Sequence, residues 1–328
     1  MIDLDVRLDS SLVELDYGYL SRLQGLKKHE PVVLNGSDVD FEDYVLAREN
    51  ALELLQTEEA IKYAFMSLFA RLERAGYVYI EVGFNPYYHT KSGLKLDEVT
   101  NIAVNAFIHC LNTYTNLDGN LILYSSLSAP LEIASQTASL AYKYRNRCVI
   151  AYGLEGDTEA VPIARYARIF ARMRKEKVPV VIEMTNKQHT VTDLNRLLKY
   201  GVRRIISLYK LDLSPKDIQT LASYNVAFEW RPTHDRILGY VKNIQEMQIK
   251  YLWSQGFLGF VAGCSYSICK TSLLDEYRLI IKELGLQRGE VQIMISKSLD
   301  ALFVSPHQKN RIVHHYVKSF DKFYKKLV

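Results

Sequence analysis

Charged side chains alternate with apolar ones near the start of the chain, where residues 3–11 read DLDVRLDSS. A repeat of two residues is typical of a β-strand, because successive side chains of a strand point to opposite faces. One face of this strand would be apolar, and the other would carry Asp3, Asp5, Arg7 and Asp9. Such a charged face suits solvent, a salt-bridge network, or a site where carboxylates and a guanidinium meet a ligand.

Two further carboxylates and one histidine lie where predicted strands end. Glu81 and Glu155 stand at positions suited to acid–base work in a pocket, although they could equally pair with Arg231, Lys210 or Lys187. His234 follows a predicted strand and precedes Asp235, so it is the histidine that we place near the pocket. A loop histidine that bonds to backbone is the commoner role for such a residue.

Eight short β-rich runs position these residues, and helical patterns separate them. The predicted strands are 1–8, 77–84, 120–127, 148–156, 178–185, 203–209, 226–232 and 256–263. Strand–helix alternation of this kind implies parallel strands with right-handed crossovers, and eight units predict a (β/α)8 TIM barrel. A doubly wound sheet is the alternative, but it usually has a glycine-rich turn after its first strand, and DVRLDSS has none.

Extra helices are predicted between strands one and two, at about residues 34–76, and after strand eight through Val328. No repeat or linker interrupts the pattern, so we expect residues 1–328 to form a single barrel domain. Active sites of such barrels lie at the carboxyl ends of the strands. The charged face of the first strand would therefore point toward the mouth of the barrel.

The composition sets limits on the class of protein. The chain has 328 residues, with 48% hydrophobic and 24% charged residues and a net charge of +4, which predicts neither a nucleic-acid nor a membrane partner. No uncharged apolar run reaches transmembrane length, and a strand at residue 1 leaves no room for a signal peptide. The four cysteines have no CxxC spacing, which suits a reducing cytoplasm.

The order of elements resembles the adenosine deaminase family, zinc-dependent barrels that hydrolyse the 6-amino group of purine nucleosides. The similarity is clearest in RLERAGYVYIEVGFNP, which ends at Pro86 and is like the second strand of that family, and in CVIAYGLEGDTEA, which is like its fourth. DLDVRLDSS falls where the family has a His-x-His start, while FEWRPTHDR and GFLGFVAGCSYS fall at its seventh and eighth strands. By this resemblance, Gly156 and Asp157 form the turn near the purine. The alternative is that this turn only caps the helix that follows it.

The metal-binding residues of the family are replaced in this chain. The resemblance aligns the paired first-strand histidines with Asp5 and Arg7, and the sixth-strand histidine with Ser207. The fifth-strand His-Ala-Gly-Glu aligns with residues 184–187, and the eighth-strand aspartates align with residues 263–264. Arginine offers no free lone pair to a cation. We therefore expect no zinc and no other cofactor, with Arg7 and Lys187 supplying positive charge that Asp5, Asp9 and either Glu183 or Glu229 balance.

These residues predict a catalytically inactive member of the family that binds a purine nucleoside or nucleotide, or a protein partner. The alternative is a metal-independent or residual purine deaminase or hydrolase that uses the remodelled pocket carboxylates. The candidate site residues are Asp5, Arg7, Asp9, Glu81, Gly156, Asp157, Lys187 and His234. Homo- and hetero-oligomers both remain open.

Overall fold

Eight parallel strands form the centre of the protein, which we describe from a computed structural model covering residues 1–27, 29–36, 39–156, 161–184, 191–207, 213–224 and 226–327. The strands pair in sequence order from β1 to β8. Their bounds are β1 Ile2–Arg7, β2 Tyr79–Phe84, β3 Asp118–Ser126, β4 Val149–Glu155, β5 Val180–Glu183, β6 Arg204–Ile206, β7 Ala227–Trp230 and β8 Leu258–Val261. An isolated parallel bridge between Val6 and Cys264 joins β8 back to β1. The predicted (β/α)8 barrel is confirmed.

Helices surround the strands and include the predicted additions. Three stand between β1 and β2, and three follow β8. In chain order they are α1 Glu14–Leu23, α2 Phe41–Leu52, α3 Glu58–Ala75, α4 Leu96–Thr113, α5 Leu131–Tyr144, α6 Ala167–Lys175, α7 Val191–Tyr200, α8 Pro215–Ser223, α9 Pro232–Ile237, α10 Ile249–Ser254, α11 Leu273–Leu284, α12 Arg288–Asp300 and α13 Pro306–Leu327. No helix in the described ranges combines the length and apolarity needed to cross a membrane.

Local sequence explains the ends of the long helix that follows the first strand. Thr57 caps α3, since its hydroxyl accepts a hydrogen bond from the N–H of Ala60 at 3.2 Å. Gly76 ends α3 with φ of +91°, a left-handed conformation that glycine adopts without steric cost. The next strand then begins at Tyr79, beside Ile2 of β1. These two signals place the second strand next to the first and set the barrel in register.

One irregularity in β1 changes which charged residues share a face. The register with β2 shifts between Asp3 and Val6. Strict alternation would put Asp3 on the same face as Asp5 and Arg7, but a bulge breaks the alternation. The charged face expected from the sequence is therefore divided, and Asp3 lies apart from the mouth of the barrel.

Candidate functional site

Two buried arginines at the carboxyl ends of β1 and β7 hold the barrel mouth together. Arg7 donates from Nε to Asp5 at 2.8 Å, from Nη1 to Glu155 at 2.7 Å and from Nη2 to Glu183 at 2.9 Å. Arg231 donates to Glu183 at 2.6 Å, to Glu229 at 3.0 Å and to the second oxygen of Asp5. We call this set of six residues the arginine network. Four strands contribute its carboxylates, namely β1, β4, β5 and β7.

Within the arginine network, three carboxylates have both oxygens bonded. Those of Asp5 and Glu183 are each shared between Arg7 and Arg231. Glu155 accepts from Arg7 on one oxygen and from the side-chain amide of Asn85, at 3.0 Å, on the other. Such charge-assisted pairs are strong and fix the orientation of both partners. No carboxylate oxygen of these three is left without a donor.

The pKa shifts follow from this arrangement. Burial alone would raise the pKa of Asp5 and Glu183, but Arg231 and then Arg7 outweigh it. The pKa of Asp5 is held well below its usual range and that of Glu183 falls to about 2. Burial, and then the neighbouring Asp5, raise the pKa of Glu229 well above its usual value. Of the carboxylates in the network, Glu229 is therefore the one whose charged form burial disfavours.

Two glycines leave room for Arg7 and for the tyrosine beneath it. The Arg7 guanidinium lies 3.8 Å from the ring centroid of Tyr124, a cation–π contact. A Cβ on Gly83 would stand 2.8 Å from Cδ of Arg7, and a Cβ on Gly153 would stand 2.3 Å from Cδ1 of Tyr124. Both distances are shorter than van der Waals contact, so the backbones of β2 and β4 can approach only as glycine.

A small cavity of about 20 Å³, room for about one water molecule, lies above the arginine network. Its walls include Arg7, Asp9, Glu155, Glu183 and Arg231. Asp9 begins a short 3₁₀ helix after β1 and is half-buried, and the hydroxyl of Ser10 donates to it at 3.3 Å. Asp5 lies deeper, at 1% exposure. The structure therefore brings Asp5, Arg7 and Asp9 together at the mouth.

A larger groove of about 350 Å³ adjoins the mouth between α2 and the ends of β2 to β4. Arg48 of α2 lines both spaces and donates to the hydroxyl of Tyr88 at 3.1 Å. Its Nε is buried and has no hydrogen-bond partner among the described residues. Gly156 also lines this groove, at a φ of +125°. Apolar walls and one available arginine donor suit a planar ligand with a polar edge.

One predicted site residue, Glu81, lies deeper in the barrel, whereas His234 is buried beside the mouth, next to Tyr44 and Arg231. Glu81 is fully buried inside the barrel and accepts from Arg204 at 2.7 Å, so it differs from the expected mouth carboxylate. Arg204 is the first residue of β6, at the end of the strand that faces away from the mouth. Its pair with Glu81 therefore lies below the mouth. His234 lies buried in α9, where its Nδ1 pairs with Asp235 at 2.8 Å. Burial, and then Arg231, lower the pKa of His234 to about 3.

The remaining predicted site residues, Asp157 and Lys187, lie outside the described residues. The sequence reading gave Lys187 the role that Arg231 takes in the structure. A signal for Arg231 was present, because Glu229 and Arg231 alternate on the inward face at the end of β7 in the same way as Asp5 and Arg7 do on β1. Arg48 carries no comparable signal, since it stands in an ordinary amphipathic helix.

The side chains of the described residues are not arranged to bind a metal ion. They contain no group of three or more His, Cys, Asp or Glu side chains placed to hold a metal ion. Ser207, at the end of β6, donates to Asp235 at 3.0 Å, and Cys264 is a buried thiol beside Arg231. Burial raises the pKa of the Cys264 thiol well above its usual value.

Comparison with known proteins agrees with this architecture. A family model for adenosine deaminase matches residues 24–319. An adenosine deaminase of Clostridium kluyveri is 24% identical, covering 97% of this chain and 94% of its own. A relative from Haemophilus ducreyi, also an adenosine deaminase, is 23% identical over 86% of this chain and 83% of its own.

Solved structures show the same fold at low identity. The adenine deaminase of Arthrobacter aurescens superposes with a TM-score of 0.84 at 14% identity, covering 98% of each chain. The Arabidopsis protein ADAL, in complex with GMP, superposes with a TM-score of 0.83 at 15% identity, covering 97% of this chain and 96% of its own. Since the family model spans most of the sequence and the barrel matches its structures, this chain belongs to the adenosine deaminase family.

Proposed function

We propose that this chain is a non-deaminating member of its family that binds a purine nucleoside or nucleotide without zinc. The observation that carries the proposal is the arginine network, in which Arg7 and Arg231 occupy the mouth and bond to both oxygens of Asp5 and Glu183. Family catalysis takes place at this end of the barrel. Among the described residues, these ion pairs keep the rim of the pocket but occupy the carboxylates of Asp5, Glu155 and Glu183.

Zinc does not fit the residues present at the mouth. When bound in this family it supplies an activated water. Arg7 and Arg231 keep their charge in proteins and have no lone pair to give, so they would repel a dication. The carboxylate oxygens of Asp5, Glu155 and Glu183 that could replace histidine are already bonded to donors. We therefore propose that the chain carries neither zinc nor another cofactor.

Metal-independent hydrolysis is the alternative, and the same contacts count against it. A general base needs a lone pair within hydrogen-bonding reach of the substrate. Glu81 is sealed in the barrel with Arg204, and the oxygens of Asp5 and Glu155 are bonded. Asp9 is the remaining predicted carboxylate that lines the mouth. If turnover of any purine were found, Asp9→Asn would be the first variant to assay.

The groove beside the mouth supports the ligand class. Phe41, Val45 and Leu52 of α2 give it an apolar wall. Arg48 and Lys91 add positive charge, beside the carboxylates of Glu49, Glu155 and Glu183. The Arg48 guanidinium stacks 4.9 Å from the ring centroid of Tyr88, and its buried Nε has no hydrogen-bond partner among the described residues. The complex of the Arabidopsis relative with GMP shows that this fold accommodates a purine nucleotide. A purine between apolar walls with its phosphate near Arg48 matches this lining.

Replacing Arg48 by alanine is expected to weaken the binding of nucleotides by about 10- to 100-fold, the usual cost of losing a hydrogen bond to a charged group. Adenosine, AMP, IMP and GMP would be titrated against the wild-type chain and the variant by calorimetry. Adenosine, which has no phosphate, should lose less affinity than the three nucleotides. Arg288→Ala is the control, because Arg288 is exposed on α12 and pairs with Asp321 far from the groove.

Thermal unfolding in the presence of the same compounds gives an independent result. A ligand at 100 times its Kd stabilises the folded state by about 2.7 kcal/mol, which shifts the unfolding midpoint visibly. No shift with any purine would contradict the nucleotide proposal and favour a protein partner, with homo- and hetero-oligomers then the first assemblies to test.

The free, buried state of all four cysteines supports a cytoplasmic location as part of this proposal.

A further inference from the structure

A second cavity lies beside β1, away from the barrel mouth. It has a volume of about 200 Å³ and lies between β1, α3 and the start of α11. Leu68 and Leu72 of α3 and Leu273 of α11 form apolar walls. Cys264 is the residue that this cavity shares with the lining of the mouth cavity. The two spaces are therefore distinct, and each could be filled without the other.

The side chain of Asp3 lines this second cavity and is 3% exposed. Its Oδ1 accepts long hydrogen bonds, both 3.3 Å, from the backbone N–H groups of Asp5 and Gly263. No hydrogen-bond donor reaches its Oδ2 from the described residues. A Cβ on Gly263 would stand 2.7 Å from this Oδ2, so glycine there makes space for the carboxyl group. The bulge in β1 thus turns Asp3 away from the arginine network.

Cations that border the cavity are already bonded to other groups. Lys326 donates to the carbonyl of Ala75 at 3.0 Å, and Arg71 donates to Asp16 at 2.7 Å. The amino group of Met1 donates to the carbonyl of Gly76 at 2.8 Å. Burial, and then Lys326, lower the pKa of this amino group to about 5, so it offers Asp3 no positive charge near pH 8. A buried carboxyl group that lacks a cation is costly to the folded state. A ligand that brings a cation to Asp3 would remove that cost.

We propose that this cavity binds a small molecule that presents a protonated amine to Asp3 and an apolar body to Leu68, Leu72 and Leu273. An ammonium group supplies three donors, which match the open Oδ2 in charge and hydrogen bonding. The apolar body would displace water from the walls contributed by α3 and α11. Burial raises the pKa of Asp3 to about 7, so the carboxylate that the amine needs is present in mildly alkaline solution.

The test is calorimetric titration of the full chain with phenethylamine at about pH 8, alongside its neutral isostere 2-phenylethanol. The amine should bind with one site per chain and at least about tenfold more tightly than the alcohol, in line with a charged hydrogen bond. Asp3→Asn should remove that preference. Asp321→Asn, the same chemical change at an exposed position, should leave it intact.

A second variant keeps the carboxylate and fills the space instead. Ala75 lines the cavity at the end of α3 and is half-buried, so Ala75→Phe should abolish binding of the amine by steric exclusion. Equal affinity for amine and alcohol, or unchanged amine binding in both variants, would overturn the proposal. Since the two cavities are distinct, failure of nucleotide binding at the groove would not affect this result.

Folding of Asp3→Asn can be checked by its pH dependence. The folded pKa of Asp3 is raised above its usual 3.8, so the folded state binds this proton more tightly than the unfolded chain does. Stability then falls as the pH rises from about 4 to about 7. The variant should therefore unfold at a higher temperature than the wild type at about pH 8, and at a similar temperature at about pH 4.

Discussion

Replacing Arg7 by alanine is expected to lower the free energy of unfolding by about 3–5 kcal/mol, the usual cost of removing one partner from a buried ion pair. Arg7 is 7% exposed and bonds to Asp5, Glu155 and Glu183. The variant would leave these carboxylates facing a cavity with one guanidinium fewer. It would also remove the cation–π contact with Tyr124.

Urea unfolding followed by circular dichroism would measure this loss. Arg288→Ala is the matched control, since the side chain of Arg288 is 57% exposed in its pair with Asp321. An exposed pair contributes about 0–1 kcal/mol, so the control should unfold nearly as the wild type does. Equal losses in the two variants would mean that the arginine network contributes no more than a surface pair.

Gly153→Ala is expected to lower the free energy of unfolding by about 1–3 kcal/mol, the range typical of overpacking a core. The new methyl group would stand 2.3 Å from the ring of Tyr124, which is 1% exposed and cannot rotate into free space. Displacing the ring would disturb Arg7, which stacks upon it. The tertiary signal in near-ultraviolet circular dichroism should change along with the stability.

The control for this prediction is Gly289→Ala. Gly289 lies in the first turn of α12, where an added Cβ would meet no atom within 4 Å. Alanine is the better helix former by up to about 1 kcal/mol, so this variant should be as stable as the wild type or slightly more stable. If Gly153→Ala were as stable as Gly289→Ala, β4 would not approach Tyr124 as closely as the structure shows, and the prediction would be wrong.

Periodicity was sufficient to predict the barrel, because each strand run is bounded by turn residues and followed by an amphipathic helix. The bulge in β1 could not be predicted from periodicity. A strict repeat of two assigns Asp3 to the same face as Asp5, while the observed register shift gives Asp3 a cavity of its own. Single-residue register changes depend on packing between strands, which one segment of sequence does not encode.

The partners of the buried charged residues could not be predicted from the sequence either. The family resemblance placed Arg7 where a metal ligand was expected, and in the structure Arg7 bonds to three carboxylates at the mouth. Glu81 was assigned to the mouth because it stands in the second strand, yet its depth in the barrel pairs it with Arg204. Depth along a strand depends on the shear of the barrel, and this is set by all eight strands together.

Hydrolysis of adenosine and AMP in the presence of added zinc tests the central claim most directly. Ammonia release would be followed from the purified chain, with the Clostridium kluyveri adenosine deaminase assayed in parallel as the positive control. We expect no ammonia above the buffer blank, because in our proposal the guanidinium groups of Arg7 and Arg231, which pair with Asp5 at the mouth, exclude a zinc ion. Turnover that depends on about one zinc per chain would contradict the account and return this protein to the active members of its family.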